Sequence, residues 1–333
     1  MNISVLYNRP AARFTKETDF VVAEEDTEES AREVAEALAV KGATPSLFPV
    51  TEKNINKVIA SLPADDLVFN LIEWTGVDTP YAIDAYEHMH KRRLRYTGAG
   101  LDTYLLSCDK SVMKKRLDEE GLPSARWQLF QTGDEAVLSD FRYPLIVKVS
   151  SEHSSVGLSK EAIVKDSNNL IAIVKKRIAQ YKQPVYAEEF LTGREFQVTL
   201  LERKNGLTVL PVSEVRYSKT TNVPFLTYES RWDATHADYD NSEVLLARLT
   251  PLMKKKIEDM SIAAFTTFRY RDYARFDVRC QGDEPMFLEI NSNPGLSDDP
   301  EYGMTVSYKA MGMSFADFVW EIVESATRRW SMG

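Results

Sequence analysis

The chain has 333 residues, enough for two or three compact domains, and its 44% hydrophobic and 27% charged content suits a globular protein that buries a core. A formal net charge of −9 argues against a nucleic-acid binder, because phosphate contacts need Lys and Arg. No stretch approaches the ~20 apolar residues of a membrane span, and residues 1–7 lack the basic lead and small-residue cleavage site of a signal peptide.

Residues 3–7 read as a first strand, and residues 17–29 as an acidic loop. Ala31, Val34, Ala35, Leu38 and Ala39 recur at helical spacing, which predicts a helix over 30–40 stopped by Gly42. Strand, helix, strand, helix and strand then follow at 45–50, 55–62, 66–72, 81–90 and 94–97. This alternation over 1–100 predicts an α/β domain with a parallel sheet and crossover helices. A second region, 101–186, opens with a helix capped by Asp109 and ended by Gly121 and Pro123. It continues with strands at 143–150, 163–164 and 185–190 around a helix at 168–181. A third, 187–333, has strands at 196–202 and 207–212, a long polar loop at 215–241 and a helix at 242–270. A hairpin at 273–291 and a terminal helix from Ser314 complete it, and the second and third regions together read as α+β. Cys108 and Cys280 lie in unrelated segments, and His88, His90, His153 and His236 form no zinc motif. A reduced, cytoplasmic protein is expected.

The densest chemistry lies in the hairpin. Residues two apart on a strand share a face, so Arg275 pairs in direction with Asp277, and Glu289 with Asn291. Phe276, Val278 and Cys280 then face away, with Met286, Leu288 and Ile290. A three-residue loop, Gly282-Asp283-Glu284, puts Asp277 opposite Glu289 and Arg275 opposite Asn291. Carboxylates directly opposed across a ladder repel, and a divalent cation relieves that repulsion. Mg²⁺ takes hard oxygen ligands, a few carboxylates completed by phosphate and water, and the Asn291 amide oxygen suits it. Arg275 beside the metal can stabilise developing negative charge. An alternating-charge hairpin is ordinarily just a solvated face. Here the apolar flanks, the opposed like charges and the small-residue loop Asn291-Ser292-Asn293-Pro294-Gly295 favour a site.

Lys148 sits in an apolar strand, Leu145 to Val149, where a lysine either snorkels to an edge or answers a buried anion. The following loop, Ser150 to Gly157, carries hydroxyls and backbone N–H groups that can hold phosphate, although it is not a Walker A loop. Lys110 lies in the first turn of the helix capped by Asp109, an end that favours anions. Further on, Tyr186 to Leu191 runs into a turn at Thr192-Gly193. Backbone groups there can serve adenine, with Glu188 or Glu195 for the adenine amine or ribose hydroxyls.

In this order the segments VFNLIEWTG (68–76), YTGAG (96–100), DK (109–110), YPLIVKVSSEHSSVGLSK (143–160), AEEFLTGREF (187–196), ARFDVR (274–279) and FLEINSNPGLS (287–297) resemble the ATP-grasp superfamily, specifically the D-alanine–D-alanine ligase family. The resemblance covers most of the chain. It implies a three-domain architecture with ATP gripped between the second and third domains. Lys110 and Lys148 would contact phosphates, Glu188 would accept from adenine, Glu189, Phe190 and Leu191 would lend backbone groups, and Glu195 would hold the ribose. Ser154 and Ser155 would sit in the phosphate-covering loop. Asp277, Glu289 and Asn291 would bind two Mg²⁺ ions bridged by Glu289, with Mn²⁺ as a substitute, and Arg275 would bind the intermediate. The implied reaction activates a carboxylate as an acyl phosphate, which an amine then attacks, releasing ADP and phosphate. Partners would be small amino acids or peptides, with a homodimer as the assembly.

The chain departs from the family pattern at four places. His153 replaces a loop glycine. Asn8-Arg9-Pro10 replaces a glycine-rich turn, leaving Glu25 as the acid ahead of the first helix for a substrate ammonium. Arg231-Trp232 stands where Lys-Tyr is usual, so Arg231 would reach the γ-phosphate. Asp298-Asp299-Pro300-Glu301 replaces a serine-rich segment, which is expected to disfavour a substrate carboxylate. Three readings follow: a D-alanine–D-alanine ligase, a ligase for a different amino acid or peptide pair, and a non-catalytic ATP-binding protein.

Overall fold

The parallel alternation expected at the N-terminus is present in the computed structural model of the chain. It describes residues 1–9, 21–151, 158–218, 225, 227, 235, 236 and 241–331, without the side chains of 21–26. Strand β1 (Asn2–Asn8) lies between β2 (Thr44–Val50) and β3 (Leu67–Leu71), with β4 (Arg95–Tyr96) beyond β3, all parallel. Helices α1 (Val21–Val40), α2 (Ile55–Ser61) and α3 (Thr79–Lys91) make the crossovers. β3 is buried at every position and β1 at all but its first, as a covered parallel sheet requires. Residues 21–29, expected as loop, are the first half of α1. Carboxylates are favoured near a helix N-terminus, so acidic composition there does not signal a loop.

Helix α4 (Leu101–Cys108), which the sequence pattern did not indicate, precedes α5 (Lys110–Glu119). Asp109 caps α5 by accepting from the backbone N–H groups of Ser111 and Val112 at 2.8 and 3.2 Å. An antiparallel sheet follows in the order β5 (Trp127–Phe130), β8 (Val185–Glu189), β6 (Leu145–Val149), β7 (Ile163–Val164), with α6 (Ser167–Tyr181) packed on it. The expected boundary between 186 and 187 falls inside β8, whose pairing runs on to Glu189.

The third sheet runs β12 (Ser242–Leu246), β11 (Ser213–Tyr217), β9 (Glu195–Arg203), β13 (Tyr273–Gln281), β14 (Glu284–Asn291), with β10 (Gly206–Val209) on β9. Two expectations change here. Residues 215–217, expected as the start of the long loop, belong to β11, and 242–246 are strand rather than helix, paired with β11. Helix α7 (Pro251–Thr267) begins only after Thr250, whose hydroxyl accepts from the Met253 N–H at 3.2 Å. Proline suits a first helical turn and breaks an interior one, so Pro251 marks a start. Helices α8 (Gly303–Ala310) and α9 (Phe315–Ser331) close the chain, the first of them unforeseen.

Helix α9 packs back onto the N-terminal sheet. Ile3, Val5 and Phe69 share one core with Tyr308, Phe318 and Ile322. A buried carboxylate locks the same junction. Asp272, wholly inaccessible, accepts from the Gly98 N–H at 2.7 Å, the Ser325 hydroxyl at 2.9 Å and the Arg329 guanidinium at 2.7 Å. Removing Asp272 takes the acceptor from the Gly98 N–H, the Ser325 hydroxyl and the partly exposed Arg329 guanidinium. Asp272→Ala is therefore expected to lower unfolding stability by about 2–3 kcal/mol, read as a fall in the urea midpoint. A change below about 1 kcal/mol would mean that the clamp carries little.

Candidate functional site

The hairpin of β13 and β14 pairs Asp277 with Glu289 and Arg275 with Asn291, as expected, but by a different route. Gln281 pairs with Glu284 around a two-residue turn, Gly282-Asp283, and the ladder then slips by one between Val278–Phe287 and Asp277–Glu289. The shorter turn and the bulge at Leu288 cancel. The bulge also changes the faces. Phe287 is buried in the core with Phe276 and Ile290, whereas Leu288 joins Glu289 in the cleft wall. A bulge re-aims side chains next to functional sites in this way.

Arg275 grips Asp277 with both arms, Nε to Oδ1 at 3.0 Å and a terminal nitrogen to Oδ2 at 3.1 Å. Asn291 donates its amide to the same Oδ2 at 3.1 Å, and Lys110 Nζ stands 3.4 Å from Glu289 Oε1. Burial alone pushes the Arg275 guanidinium down, but the Asp277 and Glu289 charges outweigh it and hold it above its ordinary value.

A second charged group faces this one from the central sheet. Lys148 on β6 lies across the ladder from Tyr186, and Ile146 from Glu188, so Lys148 and Glu188 share the cleft face. Lys148 Nζ is 2.8 Å from one Glu188 oxygen, and Lys114 Nζ is 2.6 Å from the other. Glu188 is thus first of all the counter-ion of two lysines. Burial raises its carboxyl, yet Lys114 and Lys148 more than reverse this and hold it below the usual carboxylate range. For Lys148 burial lowers the ammonium, and attraction to Glu188 and Glu289 more than compensates. Asp109 accepts from the Ser150 hydroxyl at 2.6 Å, and the Lys110 N–H donates to the Ser150 carbonyl at 2.9 Å. The first helical turn of α5 and the serine loop are joined there.

Glu189 turns the other way, into a bidentate pair with Arg142 whose shortest contact is 2.6 Å, while Phe190 and Leu191 line the cleft. Glu195 accepts from Tyr217 and Arg279, both at 3.0 Å. Arg279 also donates to the Gly193 carbonyl at 3.2 Å and lies over the Phe190 ring at 5.1 Å. Burial pushes the Glu195 carboxyl above its ordinary value despite Arg279.

One cleft brings together Lys110, Lys148, Glu188 to Leu191, Glu195, Arg275, Asp277, Glu289 and Asn291. Sequence reasoning missed Lys114, which pairs with Glu188, and Tyr217, Arg279, Leu288, Thr27, Ser30, Glu73 and Tyr302, which line the cleft. Arg279 had a signal, a cation between Val278 and Cys280, whereas Lys114, followed by Lys115 and Arg116, had none. Ser154, Ser155, His153, Arg231 and Trp232, and the Glu25 side chain, lie outside the described residues. The acidic segment does not line the cleft. Asp298 accepts from Tyr308 at 2.6 Å and pairs with Lys309 at 2.9 Å, and Asp299 accepts from the Glu301 N–H at 2.8 Å.

Among the described residues no cluster of three or more His, Cys, Asp and Glu stands ready as a complete metal cage. Two carboxylates and an amide at one point instead fit a hard cation that completes its shell from phosphate and water. Among the same residues no helix is long and apolar enough to cross a membrane.

Comparison with known proteins agrees with this architecture. The family model for the D-ala D-ala ligase C-terminus matches residues 117–324. The D-alanine–D-alanine ligase of Desulforudis audaxviator (strain MP104C) is 30% identical over 238 residues, 70% of this chain and 73% of its own length. The uncharacterized protein y4sG of Sinorhizobium fredii (strain NBRC 101917 / NGR234) is 30% identical over 266 residues, 79% of this chain and 75% of that protein. The crystal structure of the Bacillus anthracis D-alanine–D-alanine ligase complexed with ATP superposes with a TM-score of 0.74 and 19% identity over 100% of both chains. At that identity the likeness is one of fold.

The Glu195–Arg279 pair generates a pH-dependent prediction. A carboxyl whose folded pKa is raised favours folding below its unfolded pKa, and that contribution is lost as pH rises through the folded value. Arg279→Leu removes the cation that opposes the shift. The variant is expected to be destabilised by about 2 kcal/mol at pH 7, and by less toward about pH 3, below the ordinary range of a Glu carboxyl. Melting curves across that range check it, and an equal loss at both pH values would refute the pairing as the cause.

Proposed function

The chain belongs to the D-alanine–D-alanine ligase family of the ATP-grasp superfamily, and from that premise we propose that it is an ATP-dependent carboxylate–amine ligase. One observation carries the reading. Asp277 and Glu289 oppose each other, Arg275 and Lys110 touch them, and Lys148 lines the same cleft.

In this reading adenine lies between the Phe190 and Leu288 side chains, with backbone groups of Glu189 to Leu191 along its edge. Glu188 borders the adenine while balancing its lysines, and Glu195 holds the ribose. Lys110 and Lys148 take the phosphates, with Ser154, Ser155 and Arg231 in supporting roles. Asp277, Glu289 and Asn291 are the residues that would hold Mg²⁺, or Mn²⁺ in its place. When bound, the metal neutralises phosphate oxygens and orients the γ-phosphoryl group. A substrate carboxylate oxygen attacks that phosphorus, the bond to the β-phosphate oxygen breaks, and ADP leaves with an acyl phosphate formed. The neutral amine of the second substrate then attacks the acyl carbon. Arg275 stabilises the oxyanion, and phosphate departs with the electron pair of the broken C–O bond and takes up the proton that the amine nitrogen gives up as the amide forms. The protein's part is positioning and charge, as phosphoryl transfer requires.

D-alanine is the default for both substrates, since relatives of this chain carry that activity in their names. Glu73 lines the cleft and, like Glu25 in the sequence reading, suits a substrate ammonium. A ligase for another amino acid or peptide pair remains the second reading, favoured by Glu73, since a fixed carboxylate there also suits a different cationic substrate.

Phosphate release with Mg²⁺, ATP and a panel of D- and L-amino acids and dipeptides tests both. Release with D-alanine supports the default, and release only with another pair moves the substrate assignment. None with any pair, despite ATP binding, defeats the ligase reading. EDTA should stop release, and Mg²⁺ or Mn²⁺ should restore it. Glu289→Ala should abolish turnover, and near-wild-type activity would overturn the metal assignment. Lys148→Ala should raise the KM for ATP about tenfold or more, equivalent to ~1.4 kcal/mol of lost binding. Unchanged ATP kinetics would return that lysine to a structural role.

A further inference from the structure

Helix α5 carries Lys110 and Lys114 four residues apart, hence on one face. Each reaches a carboxylate of the site: Lys110 stands 3.4 Å from Glu289 and Lys114 stands 2.6 Å from Glu188. Their surroundings differ. Lys110 lines the cleft, whereas Lys114 is wholly inaccessible and does not. The Lys114 ammonium also donates to the Phe287 carbonyl at 3.1 Å, a second contact that holds it in place.

An ammonium sealed from water is costly, and a buried ion pair seldom gains over an apolar replacement of similar volume. Its value here lies in what it does to the charge next to it. Glu188 alone with Lys148, 2.8 Å away, would make a neutral pair with little attraction for an incoming anion. A second ammonium on the opposite carboxylate oxygen leaves the trio with one positive charge, and Lys148 is its cleft-lining cation.

We propose that Lys114 is a positioning residue that offsets Glu188 and thereby keeps the Lys148 charge available for the nucleotide phosphates. The proposal rests on the nucleotide reading of this cleft. It gives Lys114 no contact with substrate.

The test uses the full chain and calorimetric titration with Mg²⁺ and AMP-PNP, and separately with adenosine. Lys114→Met keeps the length and removes the charge. AMP-PNP affinity is expected to fall about tenfold or more, with adenosine affinity changed less than about threefold, because the charge of Lys148 acts on phosphate. A merely structural lysine would lower both affinities together or neither, and either result overturns the proposal. The double variant Lys114→Met/Glu188→Gln covers the case in which the single one fails to fold, since it leaves no stranded carboxylate. Measured against Glu188→Gln alone, it should bind AMP-PNP within about threefold, the non-additivity of residues acting through one another. A further tenfold loss in that background overturns the proposal. Wild-type protein that binds no AMP-PNP defeats the nucleotide reading and this one with it. Wild-type binding with an unaffected Lys114→Met variant defeats only this one.

Discussion

Asp277 and Glu289 stand opposite each other on neighbouring strands, and most of the cleft is arranged around the repulsion that this creates. Two carboxylates across a ladder destabilise a sheet, so the hairpin needs positive charge close by. Arg275 supplies it from the same strand and Lys110 from helix α5. The pattern repeats at the other end, where Glu188 meets Lys114 and Lys148 and Glu195 meets Arg279. Each carboxylate of the cleft floor therefore has a cation within 3.4 Å. A low-dielectric cleft makes this compensation necessary, because an unpaired buried charge is far more costly there than in water.

Three separate pieces of the chain have to meet for this to happen. Helix α5 docks against β14, where Phe287 donates its N–H to the Pro123 carbonyl at 2.9 Å. The central sheet brings Lys148 and Glu188 on one face because strand side chains alternate. At the base, α9 and Asp272 tie the N-terminal sheet to β13. The chemistry sits in a cleft between sheets, while the stability sits in cores on their far sides.

Much of this was legible in the sequence, and the exceptions have physical reasons. Period-2 alternation around Asp277 and Glu289 revealed the ladder partners, although turn length and bulge were each misjudged and compensated one another. Only three-dimensional pairing distinguishes a two-residue turn plus bulge from a three-residue loop, so Leu288 was read onto the wrong face. Residues 242–246 passed for helix because a short apolar run fits either period; Pro251 was the marker to follow. Lys114 escaped notice because a lysine in an amphipathic helix is ordinarily solvated, and its partner Glu188 is distant in sequence. Asp298 misled in the opposite sense. Its charge suggested a role toward substrate, but Tyr308 and Lys309 hold it outside the cleft wall.

The matched charges also bear on how a nucleotide would enter. With every floor carboxylate already answered by a cation, a polyphosphate adds negative charge that the side chains alone do not fully offset. Lys110 and Lys148 can share some of it, but each is also committed to a glutamate. On the proposed reading the missing positive charge comes in with the phosphates, as the divalent ion that Asp277, Glu289 and Asn291 suit. Such an ion would relieve two repulsions at once, between the strands and among the phosphate oxygens. The chain as a whole is acidic, at −9, so on this reading it is the local arrangement of lysines and arginines together with the ion, rather than net charge, that would receive an anion.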